Sequence, residues 1–197
     1  MKKILLLLAD GFEAVEASVF TDVLGWNKLE GDGATDVVTV GLRDRLHCTW
    51  NFTVSPEKTL DEINLNDFDA LAIPGGFEEA GFYEDAFSAP FLQVIQHFHA
   101  QQKPIASICV AALALGKSGV LIDRKATTYN HPTSKRKQQL QQFGAIVQDA
   151  YIVQDGHIIT SSNPSTAFDV AFLLLEILTD KKNTNRVKDL MGFGESH

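Results

Sequence analysis

Cys109 sits at a junction. It follows Pro104 and the short apolar run Ile105-Ala106-Ser107-Ile108, and it precedes Val110 to Leu115, an apolar run closed by Gly116 and Gly119. The first run reads as a strand and the second as a short or buried helix. A helix N-terminus offers unpaired N–H groups and a partial positive charge, and both favour a thiolate over a thiol. The same junction makes a nucleophile elbow, whose sharp turn lifts the side chain above the sheet. The glycines that flank the serine of a hydrolase elbow are missing, but Ala111 and Ala112 are small enough for close packing. The plain alternative is a buried cysteine that only packs.

Pro74-Gly75-Gly76 ends a neighbouring apolar run, Phe68 to Ile73. Glycines let backbone N–H groups approach a ligand closely, as an oxyanion hole requires, although a plain turn uses the same residues. Glu13 and Glu16 open the first helical stretch, where the helix dipole favours acids on its own account. Glu16 is placed to point over the sheet edge toward Cys109. An ionised carboxylate there would raise the thiol pKa. A carboxyl kept protonated by burial would instead donate a hydrogen bond to the sulfur. A cysteine peptidase or glutaminase also needs a histidine base. Of the six histidines, His131 falls just after the run Lys125 to Tyr129, at a plausible strand end. A loop histidine before Pro132 is the other reading. His97 and His99 fall on the polar part of a helix, His157 in a hairpin and His197 at the tail.

These groups need a scaffold, and the pattern supplies alternating strands and helices. Ile4 to Ala9 is a continuous apolar run, as in a strand buried on both faces. Val15, Val19, Val23 and Leu24 recur at helical spacing through about Leu29, and Asp36 to Gly41 is β-branched and strand-like. Cys48 to Val54 reads as an edge strand or hairpin. Ala86 to Gln102 reads as a helix, Lys125 to Tyr129 as a strand, and Ser134 to Phe143 as a polar helix ended by Gly144. Asp155-Gly156 is a hairpin turn signal, and Ser165 to Leu178 is an apolar helix. From about Asp180 the chain is charged, with one amphipathic turn around Val187-Leu190-Met191. Strands alternating with helices imply βαβ units, hence an α/β fold with a mostly parallel sheet and helices on both faces. Ligands in such sheets bind beyond the carboxyl ends of the strands. Four segments should therefore meet: Ala9 to Glu16, Pro74 to Gly76, Ile108 to Val110, and Thr160 to Thr166.

The 197 residues predict one domain, 1–197, with about 180–197 as a C-terminal extension. Lys plus Arg is 17 and Asp plus Glu is 25, a formal charge of −8, which argues against nucleic acid and anionic membranes as partners. Two cysteines are too few for a disulfide scaffold. Met1-Lys2-Lys3 and the following leucines imitate a signal peptide, but Asp10 ends the run early and no cleavage site follows. No apolar run approaches the roughly 18 residues of a membrane span. A cytoplasmic protein is the expectation.

Five segments in order resemble the ThiJ/PfpI superfamily, also called the DJ-1 family. They are Ala9 to Glu16, Leu71 to Gly76, Ala106 to Cys109, Ala126 to Thr128, and Asp155 to Ser161, within about residues 2–179. The match is closest to the small, single-domain branch of human and bacterial members. The resemblance implies a flavodoxin-like doubly wound sandwich, usually a homodimer, with no cofactor or metal. It implies Cys109 as the reactive cysteine and Glu16 as the carboxyl that hydrogen-bonds its sulfur. Gly75, Gly76 and the amide of Val110 would form the oxyanion-binding backbone.

Some positions depart from the pattern. Val110 stands where protease-like members have a histidine, so proteolysis by the usual dyad is disfavoured. Glu16 and Val110 also disfavour the isonitrile hydratase branch. In the human-like branch a histidine follows the Thr-Thr pair directly; here Tyr129-Asn130 intervene before His131. The arginines of that branch are replaced around Trp26 and Trp50, which weakens a case for an anionic substrate. The resemblance thus implies an enzyme acting on small reactive carbonyls through Cys109 and Glu16, in the manner of a glyoxalase or deglycase. The alternative is an oxidative-stress sensor or chaperone whose Cys109 oxidises to a sulfinate. Cys48 reads as a packing residue.

Overall fold

The computed structural model describes residues 1–194. In chain order its first elements are β1 (Lys2–Leu8), α1 (Ala14–Glu30), β2 (Thr35–Gly41), β3 (Leu46–His47), β4 (Thr53–Val54), β5 (Lys58–Thr59) and β6 (Ala70–Ile73). Then come α2 (Phe82–Ala86), α3 (Ala89–Ala100), β7 (Ile105–Ser107), α4 (Ala111–Lys117), β8 (Lys125–Ala126) and α5 (Arg136–Gln142). The last are β9 (Ile146–Val147), β10 (Ile152–Asp155), β11 (Ile158–Ser161), α6 (Ala167–Leu178) and α7 (Lys181–Leu190).

Seven strands form the main sheet in the order β10-β11-β7-β6-β1-β2-β5. Every pairing in it is parallel except β10 with β11. β1 lies near the centre, and Ile4 to Leu8 are buried on both faces, which is why that strand is apolar without alternation. α1 and α6 cover one face, with α7 packed against both. α3 packs on β6 and β7 across the other face and meets α4, which also touches α2. The expected doubly wound, flavodoxin-like α/β sandwich is what forms. Along α1 the buried side is Val19, Phe20, Val23 and Leu24, while Val15, expected on that stripe, is half exposed.

Several expected elements change. The helix expected over 86–102 is α3, which starts at Ala89 with Pro90 in its first turn, and a separate short helix, α2, precedes it and stops at Ala86. The strand expected over 125–129 is only two residues long. It pairs with β9, outside the main sheet, because Thr127 and Thr128 are engaged elsewhere. Asp155 pairs with Ile158, so the hairpin turns on Gly156-His157 and not on Asp155-Gly156; Gly156 takes a φ of +61°. The hairpin expected over 48–54 forms two residues earlier, with Leu46–His47 as β3 pairing with β4, so that Cys48 falls in its loop.

The C-terminal extension is the largest correction. It forms a ten-residue helix, α7, rather than one turn. Asp180 caps it by accepting the Asn183 N–H at 2.8 Å. Thr184 and Val187 are buried, and Asn183 donates to the buried Asn27 of α1 at 2.6 Å. With only two buried positions per helix, the pattern was too sparse to read from sequence. Among the described residues no helix is long and apolar enough to cross a membrane.

Candidate functional site

Cys109 connects β7 to α4. Its φ is +55°, in the left-handed region that residues with a Cβ seldom adopt. Such a conformation costs of order 1–3 kcal/mol and persists only when its surroundings hold it. Two bonds do so here. Ile108 N–H donates to Ile73 C=O at 3.1 Å, and the Thr128 hydroxyl donates to the Cys109 carbonyl at 3.0 Å. Thr127 N–H in turn donates to Thr160 Oγ1 at 2.9 Å. These bonds explain why the chain leaves β8 so early: it is drawn beside the elbow, which brings Tyr129 to the same cavity.

Glu16 lies in the first turn of α1 and is fully buried. Its Oε2 accepts the Gly75 N–H at 2.6 Å, while Oε1 has no hydrogen-bond partner although it is buried. Burial, and after it the Glu13 carboxyl, push the Glu16 pKa up to about 8. Glu16 is therefore mostly the neutral acid at pH 7, and Cys109 interacts with its carboxyl. The Gly75 N–H is thus occupied by Glu16, a correction to its expected place in an oxyanion hole. The Gly76 N–H has no backbone acceptor among the described residues, and the Val110 N–H acts on the Cys109 sulfur.

The thiol itself departs from expectation. Burial pushes the Cys109 pKa well above its ordinary value, and an ionised Glu16 would add to that. The Val110 N–H pulls in the other direction and does not win. The helix-terminus argument read from the sequence is outweighed, because α4 has seven residues and Cys109 is only 5% exposed.

The β1–α1 turn that delivers Glu16 is clamped. Asp10 N–H donates to the buried carboxylate of Asp85 at 2.8 Å, and Arg43 binds the same carboxylate through two bonds of 2.8 and 2.6 Å. Gly11 follows with φ +73°.

A cavity of about 420 Å³ opens over Cys109. Glu13, Gly76, Val110 and Pro164 line it, so the four segments expected at the strand ends do meet. Tyr129, which stands between the Thr-Thr pair and His131 in the sequence, lines it too. His131 does not: it is exposed, stacks on Tyr129 and shares a 2.8 Å hydrogen bond with Thr133. Among the described residues no histidine lines the cavity; His197 lies outside them. Arg136 was not foreseen. It comes from a polar helix with no chemical signature in its sequence, and only the tertiary packing brings it to the wall. Trp26 and Trp50 do not line this cavity. Cys48 is free and buried, beside Phe12 at a single bridge. Among the described residues no group of three or more His, Cys, Asp or Glu could hold a metal ion.

The raised Glu16 pKa has a thermodynamic consequence. An acid whose folded pKa lies near 8 and whose unfolded pKa lies near 4.5 stabilises the fold fully below pH 4.5, and that contribution is lost as pH rises through 8. The wild type should lose stability relative to Glu16→Gln across this window, by of order a few kcal/mol. Melting temperatures of both proteins at pH 5, 7 and 9 test it, and a constant difference would refute the assignment.

The model of the DJ-1/PfpI family matches residues 2–177. Among curated proteins, DJ-1alpha of Drosophila melanogaster is 32% identical over 194 residues, covering 96% of this chain and 83% of that protein. A protein named deglycase from Thermococcus kodakarensis is 29% identical over 168 residues, covering 84% of this chain and 93% of its own length. Among solved structures, Drosophila melanogaster DJ-1beta superposes with a TM-score of 0.84 at 27% identity, covering 96% of this chain and 97% of that one.

Proposed function

The chain belongs to the DJ-1/PfpI family, and on that premise we propose that it is a cysteine-dependent, cofactor-independent enzyme acting on small reactive carbonyls. The observation that carries this reading is the strained elbow of Cys109 beside a buried Glu16 whose Oε1 lacks a partner. A name of deglycase on relatives at 29% identity supports the same substrate class.

The Cys109 sulfur attacks the aldehyde carbon of a 2-oxoaldehyde. The S–C bond forms, and the carbonyl π pair moves to oxygen. The Val110 and Gly76 N–H groups, both at the cavity wall, are the donors for that developing oxyanion. The thiol proton passes through Glu16 to the same oxygen, giving a hemithioacetal. A pKa near 8 keeps both forms of Glu16 accessible at neutral pH, as a shuttle needs. The proton on C1 then moves to C2 by way of an enediol, so C1 is oxidised and C2 reduced within one molecule. Water cleaves the resulting thioester, releasing the 2-hydroxy acid and restoring the thiol. The balance needs no external oxidant.

Purified protein without added thiol or metal is expected to convert methylglyoxal to lactate. No consumption above the buffer rate would overturn the reading. A sensor whose Cys109 oxidises to a sulfinate uses the same sulfur, and the upward push of burial on its pKa bears on both readings alike. A peptidase or glutaminase lacks a base, since no histidine among the described residues lines the cavity.

A homodimer is part of the same proposal, as the family implies. α1 leaves Val15, Trp26 and Leu29 exposed, and Phe52 is exposed across an adjoining groove. Sedimentation equilibrium is expected to return twice the 21.7 kDa chain mass; a value of one chain mass at micromolar protein would refute it.

A further inference from the structure

Arg136 opens α5 and faces the Glu78–Ala80 turn across the cavity mouth. Its Nη2 donates to Glu78 Oε2 at 2.8 Å, and its Nη1 donates to Gln139 Oε1 at 2.9 Å. The guanidinium carbon stands 5.0 Å from the centroid of the Tyr83 ring. Its side chain is 20% exposed, whereas that of Glu78 is 63% exposed. A guanidinium carries five N–H donors, so these two bonds leave three free. Stacking and two bonds make the fork rigid before any ligand arrives. The charge is a different matter. Glu78 compensates it, and Glu13 and Glu79 add further carboxyls to the same wall.

We propose that Glu78 masks Arg136 and thereby sets the charge preference of the Cys109 cavity. The masked cavity admits neutral small carbonyl compounds and turns away carboxylate-bearing ones such as 2-oxo acids. This rests on Cys109 being the reacting group of the proposed function, but it does not require turnover. A merely structural Arg136–Glu78 pair would tie α5 to the turn and leave the charge preference alone. In the masking role, removing the Glu78 charge releases a rigid cation with free donors into the cavity. Arg136 and Glu78 are then specificity-determining residues, and Tyr83 and Gln139 position the fork.

Alkylation of Cys109 reads this directly. Iodoacetamide and iodoacetate are close in size and differ in charge. With either, the Cys109 sulfur bonds the methylene carbon, iodide leaves with the bonding pair, and the thiol proton goes to solvent. Peptide mass spectrometry separates Cys109 from Cys48. The rate ratio of iodoacetamide to iodoacetate, normalised to glutathione at the same pH, is expected to exceed one by about tenfold in the wild type. Glu78→Gln is expected to lower the ratio by about threefold or more, Arg136→Gln to raise it, and molar salt to compress all differences. Glu78 is exposed and Gln is nearly its isostere, so that variant carries the test without threatening the fold. An unchanged ratio in Glu78→Gln, a wild-type ratio equal to that of glutathione, or failure of both reagents to label Cys109 would overturn the proposal. If the ratios behave as expected but no methylglyoxal is consumed, the enzymatic reading falls and the charge preference stands.

Discussion

Cys109→Ser is expected to lower methylglyoxal consumption by at least about 10³-fold while the protein stays folded. In barrier terms the loss is about 4 kcal/mol or more. Serine keeps a polar γ atom at the same left-handed position, so the Thr128 and Ile73 hydrogen bonds that hold the elbow remain. What is lost is nucleophilicity, because a hydroxyl is far harder to deprotonate than a thiol, and Glu16 with a pKa near 8 is too weak a base for it. Lactate formation and a thermal melt on the same preparation check the two halves. Equal rates for both proteins would mean that other groups consume the aldehyde, and the proposed mechanism would be wrong.

Gly75→Ala is expected to lower the rate by about 10²-fold or more and to destabilise the fold by about 1–3 kcal/mol. A Cβ at Gly75 would stand 2.9 Å from Glu16 Oε2, 2.9 Å from the Ile108 carbonyl oxygen and 3.1 Å from the Val110 nitrogen. Two of these three atoms are backbone and cannot swing away. Making room displaces the Glu16 carboxyl and the Val110 N–H together, so one methyl disturbs both the proposed proton shuttle and a proposed oxyanion donor. Gly76→Ala is harsher for folding, since its Cβ would collide with the Gly11 carbonyl and lie 2.5 Å from Phe82 Cδ2. Activity per folded molecule, with the folded fraction taken from denaturant titration, separates the catalytic from the structural loss at Gly75. Wild-type activity in Gly75→Ala would refute its role.

These glycines are instructive about legibility. The sequence places Pro74-Gly75-Gly76 at a strand end and suggests donors for an anion. It does not reveal that the Gly75 N–H is taken by Glu16, because the two are 59 positions apart and meet only when β1 and β6 pair. The sign of the Cys109 shift was lost for a related reason. A helix start after Ile108 is visible locally, but burial at 5% exposure is a property of the packed core, and desolvation outweighs one N–H group. His131 shows the opposite error. Its place after a supposed strand made it attractive, yet the Thr127 and Thr128 hydrogen bonds end that strand at Ala126 and leave His131 facing Thr133.

The sequence by itself determined the architecture and singled out Cys109 and Glu16 as the candidate pair. Continuous apolar runs separated by helical periods permit little besides a parallel sheet covered on both faces, and Cys109 and Glu16 stand at the ends of elements that such a sheet must bring to one edge. Tertiary structure alone decided the burial and the neighbours of the candidate site. It buried Glu16 and left its Oε1 without a partner, turned Cys109 into the left-handed region, folded α7 against α1 and α6, and carried Arg136 to the cavity wall against Glu78. The physical reason is range. Strand and helix formation follow from side chains within a few residues, whereas desolvation and charge compensation depend on neighbours that only the packed chain supplies.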